Sequence, residues 1–323
     1  MPKAKKKTDD APARKSFYTL KLEPEQMEKL HSILDARDWE SYAVDHAAFA
    51  YKGPSVNIVA YKSRKLVIQG KGTEDFVTMS LEAEVTGDPR LGYDEVHHPE
   101  WFEHHAGMDE SGKGGVFGPL VVACVIAEPK AIRSWIEAGV QDSKKVTDAT
   151  ISKLAKIIKN TPGAVVESMK LGMPKYNELM AKPKATLNLL LAWQHAKAIE
   201  AALDRQFVPW GMLDQFSKQP LVERYLKSHP DFDLRMMTKA EADPVVAAAS
   251  IIARDLYVKQ MEALSEIAGE PLLKGASSAV KQQATRIFEN QGKSGLQSVA
   301  KMHFKTVYEA QGLEPPKKTY VRR

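Results

Sequence analysis

The most informative segment of this 323-residue chain is Gly107-Met108-Asp109-Glu110-Ser111-Gly112-Lys113-Gly114. Its spacing comes close to the phosphate-binding P-loop, G-x-x-x-x-G-K-[ST], but Gly114 stands where that loop needs a hydroxyl ligand for Mg²⁺. Asp109 and Glu110 would also repel the phosphates that the loop amides should attract. The segment is therefore not a P-loop, and its two acids need another explanation.

Two adjacent acids at the end of a predicted strand are candidate metal ligands. Successive strand side chains point to opposite faces, so Asp109 can face a cation directly while Glu110 reaches it only where the strand twists or ends. A two-metal phosphodiesterase needs three or four carboxylates from distant parts of the chain. The alternative, two solvent-exposed acids, is less favoured because the three glycines at 112, 114 and 115 allow another backbone to approach closely.

Two further acids occupy positions that a metal site would explain. Asp214 ends an apolar run, residues 210–213, where an unpaired charge is costly. Glu241 and Asp243 precede an alanine-rich segment. Because Pro244 suits the first position of a helix, Asp243 is expected to be its N-cap. That structural role leaves Glu241 as the functional acid.

From residue 106 onward, strands and helices are predicted to alternate, which is typical of an α/β domain. We expect this domain to span residues 107–312. The predicted strands are 107–111, 116–127 and 209–215, and the predicted helices are 129–138, 148–159, 186–204 and 244–264.

Residues 17–84 are predicted to form a separate, small α+β domain, with a strand at 17–22, a helix from Pro24, and strand-like runs at 47–52 and 55–68, the second interrupted by a polar turn at 62–65. Residues 52–72 hold five basic side chains and no acid. Such a sheet face suits a phosphate backbone. The alternative is an ordinary solvated hairpin whose lysines discourage aggregation. The candidate contacts are Tyr51, Lys52, Tyr61, Lys62 and Lys65.

Residues 85–106, rich in glycine and proline, are predicted to link the two domains. Four histidines lie here, which raises the hypothesis of a structural zinc site. The sequence disfavours it, because no cysteine is nearby and linkers tolerate histidine. The four are His97, His98, His104 and His105.

The net charge of +5 is concentrated in two basic tails, 1–16 and 313–323. Residues 1–16 and 315–323 carry +4 each, which leaves −3 for the rest of the chain. The tails are predicted to be disordered, and contact with polyanions and simple solubilisation remain equal alternatives. The single cysteine, Cys124, excludes an internal disulfide and fits a reducing compartment. With no membrane-spanning run and no secretory signal, we expect a cytoplasmic monomer.

Several of these motifs, in this order, resemble type 2 ribonuclease H. Lys113 and Glu241, where the HII branch usually has arginine and aspartate, point to the HIII branch. The resemblance spans residues 106–310, and residues 17–84 resemble the family's N-terminal domain, which is similar in fold to the TATA-binding protein. One departure is Gly115, where many members have aspartate. The motifs are residues 107–119, Asp142-Ser143-Lys144-Lys145, Asp214-Gln215-Phe216, Lys239-Ala240-Glu241 with residues 248–253, and the blocks 274–277 and 301–304.

The resemblance implies a ribonuclease H-like fold, with a mixed sheet and flanking helices, and an endonuclease acting on the RNA strand of RNA–DNA hybrids. The products would carry 5′-phosphate and 3′-hydroxyl ends. Two Mg²⁺ or Mn²⁺ ions, roughly 3.5–4 Å apart, would be bound by the four acids. The catalytic and metal-binding residues would be Asp109, Glu110, Asp214 and Glu241.

The resemblance also implies substrate contacts. Backbone groups of Gly112, Lys113 and Gly114 would recognise the ribose 2′-OH, which distinguishes RNA from DNA. Ser143 and Lys144 would contact the substrate, Lys144 at a phosphate, although a solvated loop lysine is the alternative.

Two other functions remain open. The chain could act mainly at single ribonucleotides embedded in DNA, or bind hybrids without cleaving them, although the presence of all four acids argues against the latter. His195 lies on a predicted helix that must pack, so it is interpreted as a core residue and left out of the site.

Overall fold

A computed structural model describes residues 16–88 and 94–315, so the two predicted tails fall almost entirely outside the described residues. The chain divides into two compact units, Met1–Glu100 and Trp101–Arg323. Within the described residues, no helix is both long and apolar enough to cross a membrane.

The first unit is built on a five-stranded antiparallel sheet with the strand order β1-β5-β4-β3-β2. The polar turn predicted at 62–65 does divide the last predicted run into two strands. The strands are β1 (Phe17–Lys21), β2 (Glu40–Ser41), β3 (Ala47–Gly53), β4 (Val56–Tyr61) and β5 (Lys65–Gln69).

Helices cover one face of this sheet. Helix α1 (Pro24–Asp35) begins at the predicted proline, and its first turn is closed by a capping box in which the Glu23 amide donates to Gln26. Helix α2 (Thr73–Phe76) continues into a π-helical segment, Val77–Thr86. The shared core contains Leu30, Leu34, Tyr51, Ile58 and Ile68, all buried. Helix α3 (Asp94–His97) follows near the end of the unit.

The second unit contains a mixed five-stranded sheet with the order β10-β9-β6-β7-β8, as the α/β prediction requires. Strands β6, β7 and β8 pair antiparallel, whereas β6, β9 and β10 run parallel. The strands are β6 (His105–Ser111), β7 (Val121–Ala127), β8 (Val165–Lys170), β9 (Trp210–Asp214) and β10 (Asp233–Met237).

Seven helices of the described chain flank this sheet, and each face has its own apolar core. Helices α4, α5, α8, α9 and α10 contribute to one core, and α6 and α7 to the other. The four predicted helices are confirmed to within a few residues. The helices are α4 (Pro129–Glu137), α5 (Asp148–Asn160), α6 (Met173–Met180), α7 (Leu187–Arg205), α8 (Pro244–Ala268), α9 (Ser278–Val299) and α10 (Lys305–Ala310).

The predicted strand at 116–127 was too long at its start. Strand β7 begins only at Val121, because Gly118 has a left-handed φ of 81° and Pro119 supplies no amide hydrogen for a strand ladder. Residues 112–120 instead form an irregular connection, which is called the glycine turn below. At the other boundary, Trp101 and Phe102, within the predicted linker, are buried in the core of the second unit.

Candidate active site

The adjacent acids Asp109 and Glu110 lie on opposite faces of β6. Met108 packs into the core that α7 covers. A Cβ on Gly107 would lie 2.3 Å from the carbonyl carbon of Val245, so that side of β6 faces the start of α8. By strand alternation, Asp109 shares the α8 side with Gly107, and Glu110 shares the α7 side with Met108.

Asp214 lies beside Asp109 on the same face. Strands β6 and β9 are parallel neighbours, and Met108 pairs with Leu213, so the next position in each strand is an aspartate. Neighbouring strands are about 4.8 Å apart, which places the two aspartates side by side at one edge of the sheet. The backbone amide of Ala240 donates to Asp214 Oδ1 at 3.1 Å. This bond holds the short 3-10 helix Ala240–Ala242, which carries half-buried Glu241, next to the aspartates.

The electrostatics of Asp109 reflect this crowding. Burial raises the pKa of Asp109 well above its usual range, and the charges of Glu110 and Asp214 raise it further. Burial lowers the pKa of Lys144, but surrounding acids outweigh that effect and the net shift is upward. Lys144 is thus in the field of an acidic group comprising Asp142, Glu241, Asp109 and Asp214.

Glu110 has a different set of neighbours. His195 Nε2 donates to Glu110 Oε2 at 3.4 Å, and Lys113 Nζ lies 3.5 Å from Oε1. Burial opposes ionisation of Glu110, but these two groups outweigh it and lower its pKa. Phe216 lies between them, stacked on His195 at 5.6 Å with Lys113 over its ring at 5.4 Å. His195 is fully buried, as its interpretation as a core residue predicts, and it also contacts a candidate site residue.

Asp243 is confirmed as the N-cap of α8. Its fully buried carboxylate accepts from the amides of Val245 at 2.7 Å and Val246 at 3.4 Å. It also accepts from buried His105, whose Nε2 lies 2.9 Å from Oδ2. The ring of His105 stacks on Trp210 at 4.3 Å. All of these contacts are structural, so Asp243 is not available as a ligand.

The predicted substrate loops lie beside the acids. Ser143 is largely buried in a 3-10 turn, Ser143–Lys145, and its amide donates to Ser250 Oγ at 3.1 Å. In the glycine turn, Gly112 has a φ of +89°, and a Cβ there would lie 2.2 Å from the carbonyl oxygen of Pro119. Gly112 cannot be replaced without strain. Gly114 has open space around it, which leaves its backbone accessible.

In the first unit, the five predicted substrate contacts lie in two different environments. Lys52 on β3 pairs with Asn57 on β4, and Asn57 pairs with Gln69 on β5, so these side chains lie on one face of the sheet. Lys65 lies four residues before Gln69 on β5 and therefore points to the same face, which is opposite the helices. Tyr51 is a correction: it lies in the core, 5% exposed, and its hydroxyl donates to Asp35 at 3.0 Å. The remaining four define the basic surface, namely Lys52, Tyr61, Lys62 and Lys65.

The four acids supply the donor type that Mg²⁺ and Mn²⁺ prefer, which is carboxylate oxygen. The mutual repulsion that raises the pKa of Asp109 is the kind of energy that a divalent cation relieves. Within residues 16–88 and 94–315, no three His, Cys, Asp or Glu side chains already converge on a single point. The donor type of these acids fits a divalent cation, and the donors come from both faces of β6. The histidines of the predicted linker form no such group either.

Comparison with known proteins gives consistent matches along the chain. A family model described as Ribonuclease HII matches residues 106–307, and one described as a domain of unknown function (DUF3378) matches residues 18–85. Ribonuclease HIII of Chlamydia muridarum is 37% identical over 302 residues, 91% of this chain and 97% of that protein. Ribonuclease HIII of Chlamydia abortus is 38% identical over 288 residues, covering 87% and 94% of the two chains. Among solved structures, Bst-RNase HIII in complex with Mn²⁺ has a TM-score of 0.62 at 28% identity, covering 92% of this chain and 98% of that one.

Proposed function

The chain belongs to the ribonuclease HIII branch of type 2 ribonuclease H and is therefore a ribonuclease H, and we propose that it cuts the RNA strand of RNA–DNA hybrids at a site formed by Asp109, Glu110, Asp214 and Glu241. The observation that carries this assignment is the adjacency of Asp109 and Asp214 on parallel strands, with Glu241 held beside them. No local sequence feature brings these acids together, so the placement of Asp109, Asp214 and Glu241 at one sheet edge supports a shared role.

The four carboxylates would hold two divalent cations, Mg²⁺ or Mn²⁺. When bound, such ions supply Lewis-acid activation of a water and neutralise the leaving 3′ oxygen. The solved structure of Bst-RNase HIII in complex with Mn²⁺ supports a divalent metal requirement in this branch. The products expected are 5′-phosphate and 3′-hydroxyl ends.

The chain's own residues orient this site. His195 and Lys113 hold Glu110 ionised and in place on the α7 side. Lys144, which lies in the field of the acids, is suited to a phosphate that enters beside them. The exposed backbone around Gly114 would contact the ribose 2′-OH, the group that identifies the RNA strand.

The basic surface of the first unit would add affinity for the duplex. Lys52 and Lys65 project from one sheet face, and Lys62 lies in the exposed turn that joins β4 to β5. Lysines placed in this way contact phosphates without regard to base sequence. Chemistry and affinity would thus be divided between the two units.

The test is the removal of single carboxylate charges. Asp109→Asn and Asp214→Asn are expected to abolish Mg²⁺-dependent cleavage of a uniform hybrid, with hybrid binding largely retained. The matched control is Asp233→Asn, since Asp233 pairs with Arg235 on the protein surface. If either variant keeps more than about a tenth of the parent kcat, equivalent to ~1.4 kcal/mol of barrier, that residue is not a primary ligand.

The same assay should include a DNA duplex containing one ribonucleotide. Preferential cleavage of the uniform hybrid supports the proposed substrate. Cleavage confined to the single-ribonucleotide duplex would instead identify the alternative substrate, and binding without cleavage of either would contradict the proposal.

A further inference from the structure

A lysine outside the acidic cluster is fully buried in the second unit. Lys301 follows α9, and its Nζ donates to the carbonyl oxygen of Gly115 at 2.9 Å and to that of Gly118. Its backbone amide donates to the carbonyl of Val116 at 2.8 Å. A single residue thus satisfies three carbonyls of the glycine turn.

Val116, Phe117 and Leu120 of the glycine turn are buried in the core, but residues 112–115 have little side-chain packing of their own. Gly112 and Gly118 adopt left-handed φ angles of 89° and 81°, and residues 112–115 carry only one side chain, that of Lys113. The carbonyl of Phe117, which lies between those of Val116 and Gly118, accepts from the Tyr257 hydroxyl at 3.3 Å. Glycine residues lose more backbone entropy on ordering than any other, so hydrogen bonds from outside the turn contribute to fixing its glycine-rich half.

The position of Lys301 is costly for the fold. Burial lowers its pKa to about 7, and its Nζ lies 5.7 Å from the centre of the Tyr176 ring. Among the described residues, carbonyl oxygens and not a carboxylate receive its hydrogen bonds. An apolar side chain of the same length would avoid this desolvation. The presence of a buried amino group here is explained if the carbonyls that it holds have a function.

We propose that Lys301 is a positioning residue that fixes the glycine turn where the backbone of residues 112–114 meets the ribose 2′-OH, and thereby determines the preference for RNA over DNA. This inference rests on the proposed function. Lys301 itself does not reach the substrate, because its side chain is fully buried. Its effect passes through Gly115 and Gly118.

The test uses Lys301→Met, which keeps the length of the side chain and removes its hydrogen-bond donors. It compares the KM for an RNA–DNA hybrid with the inhibition constant of a DNA duplex. The KM for a uniform RNA–DNA hybrid is expected to rise about tenfold or more, since two buried carbonyls lose their partner. The inhibition constant of a DNA duplex of the same sequence, used as a competitor, is expected to stay within about twofold of the parent value, because DNA makes no 2′-OH contact. Lys301→Gln, which restores a shorter donor, is expected to give an intermediate KM.

The matched control is Lys159→Met, which removes a surface lysine paired with Asp255 and remote from the glycine turn in its contacts. Circular dichroism and a thermal melt establish folding for each variant. Hydrogen exchange adds a direct readout, since the amides of Val116 and Gly118, bonded to Gly275 and Val299, should lose protection in the Lys301 variants. If Lys301→Met does not fold, the same measurements on Lys301→Gln decide the question.

Two outcomes would overturn the inference: a folded variant with an unchanged hybrid KM, or an equal rise in KM and in the inhibition constant of DNA. Failure of the proposed function can be distinguished from failure of this inference, because the former would already be observed in the parent enzyme. A parent that fails to cleave the hybrid, or binds DNA as tightly as the hybrid, contradicts the assignment whatever the Lys301 variants do.

Discussion

Replacing Asp243 with alanine should distinguish a structural acid from Glu241, the proposed catalytic acid two residues away. The carboxylate of Asp243 accepts from the amides of Val245 and Val246 and from His105 Nε2, and all of these groups are buried. The Asp243→Ala variant would therefore leave the first turn of α8 uncapped and one ring nitrogen of His105 without an acceptor.

The expected loss of stability follows from these two contributions. Loss of an N-cap costs about 0.5–2 kcal/mol. Leaving a buried donor unsatisfied costs about 1–3 kcal/mol more. The sum, about 3 kcal/mol at the centre of these ranges, exceeds the cap term that the sequence alone indicated. For a domain of this size the melting temperature should fall by roughly 6–12 °C.

Thermal and urea melts of Asp243→Ala and Glu241→Gln, with cleavage assays below the melting range, would measure both effects. Asp243→Ala should be destabilised and keep most of its kcat. Glu241→Gln should melt within about 2 °C of the parent and lose cleavage, because Glu241 is half-buried and caps no helix. The reverse pattern, a stable but inactive Asp243→Ala, would refute the division of roles.

Three further outcomes are expected. His195→Ala removes the donor to Glu110 and should lower kcat more than tenfold, which corresponds to a barrier higher by about 1.4 kcal/mol. The control is His229→Ala, which breaks a surface pair with Asp204 and should change kcat less than twofold in the same assay. Alanine at the three lysines of the basic surface should raise KM and reduce the slope of log Kd against log salt by roughly 2–3, which a salt titration measures; an unchanged slope would remove this surface from the binding site. Finally, because burial lowers the pKa of Lys301 to about 7, the folded state binds fewer protons than the unfolded state between pH 7 and about 10.5. Stability relative to Lys301→Met should therefore rise with pH across that window, by up to about 1.4 kcal/mol per pH unit, and a pH-independent difference in urea melts would contradict the burial of this charge.

Local signals predicted part of this structure well. Strand alternation separated Asp109 from Glu110, and Pro24, Pro129 and Pro244 each mark the first residue of a helix. The same alternation could have corrected Tyr51, since Tyr51 and Lys52 are neighbours on a strand and cannot share a face. The prediction for Tyr51 was wrong because the tyrosines and lysines were counted along the segment without being assigned to a face of the sheet.

Other features had no local signal. Strand β10 is only five residues long, and α9 contains Gly292, which has a non-helical backbone conformation, so neither gives a strong periodic signal. The contact of His195 with Glu110 joins residues 85 positions apart. The role of Lys301 depends on a turn 183 to 186 residues earlier in the chain. Such pairings are set by topology, which sequence periodicity does not encode.

Helix α8 explains how loops so distant in sequence are aligned on one another. Asp243, Ser250 and Tyr257 follow each other at intervals of seven residues, which is close to two full turns, so their side chains lie along one stripe of the helix. Each contacts a different part of the candidate site: Asp243 ends the segment that carries Glu241, Ser250 accepts from the amide of Ser143, and Tyr257 donates to Phe117 in the glycine turn. The three contacts span about 21 Å of a single helix. Because a packed helix of this length bends little, one rigid element sets the distances between the acids, the 3-10 turn at Ser143 and the glycine turn. The two loops therefore need no contact with each other to keep the relative positions that the proposed function requires.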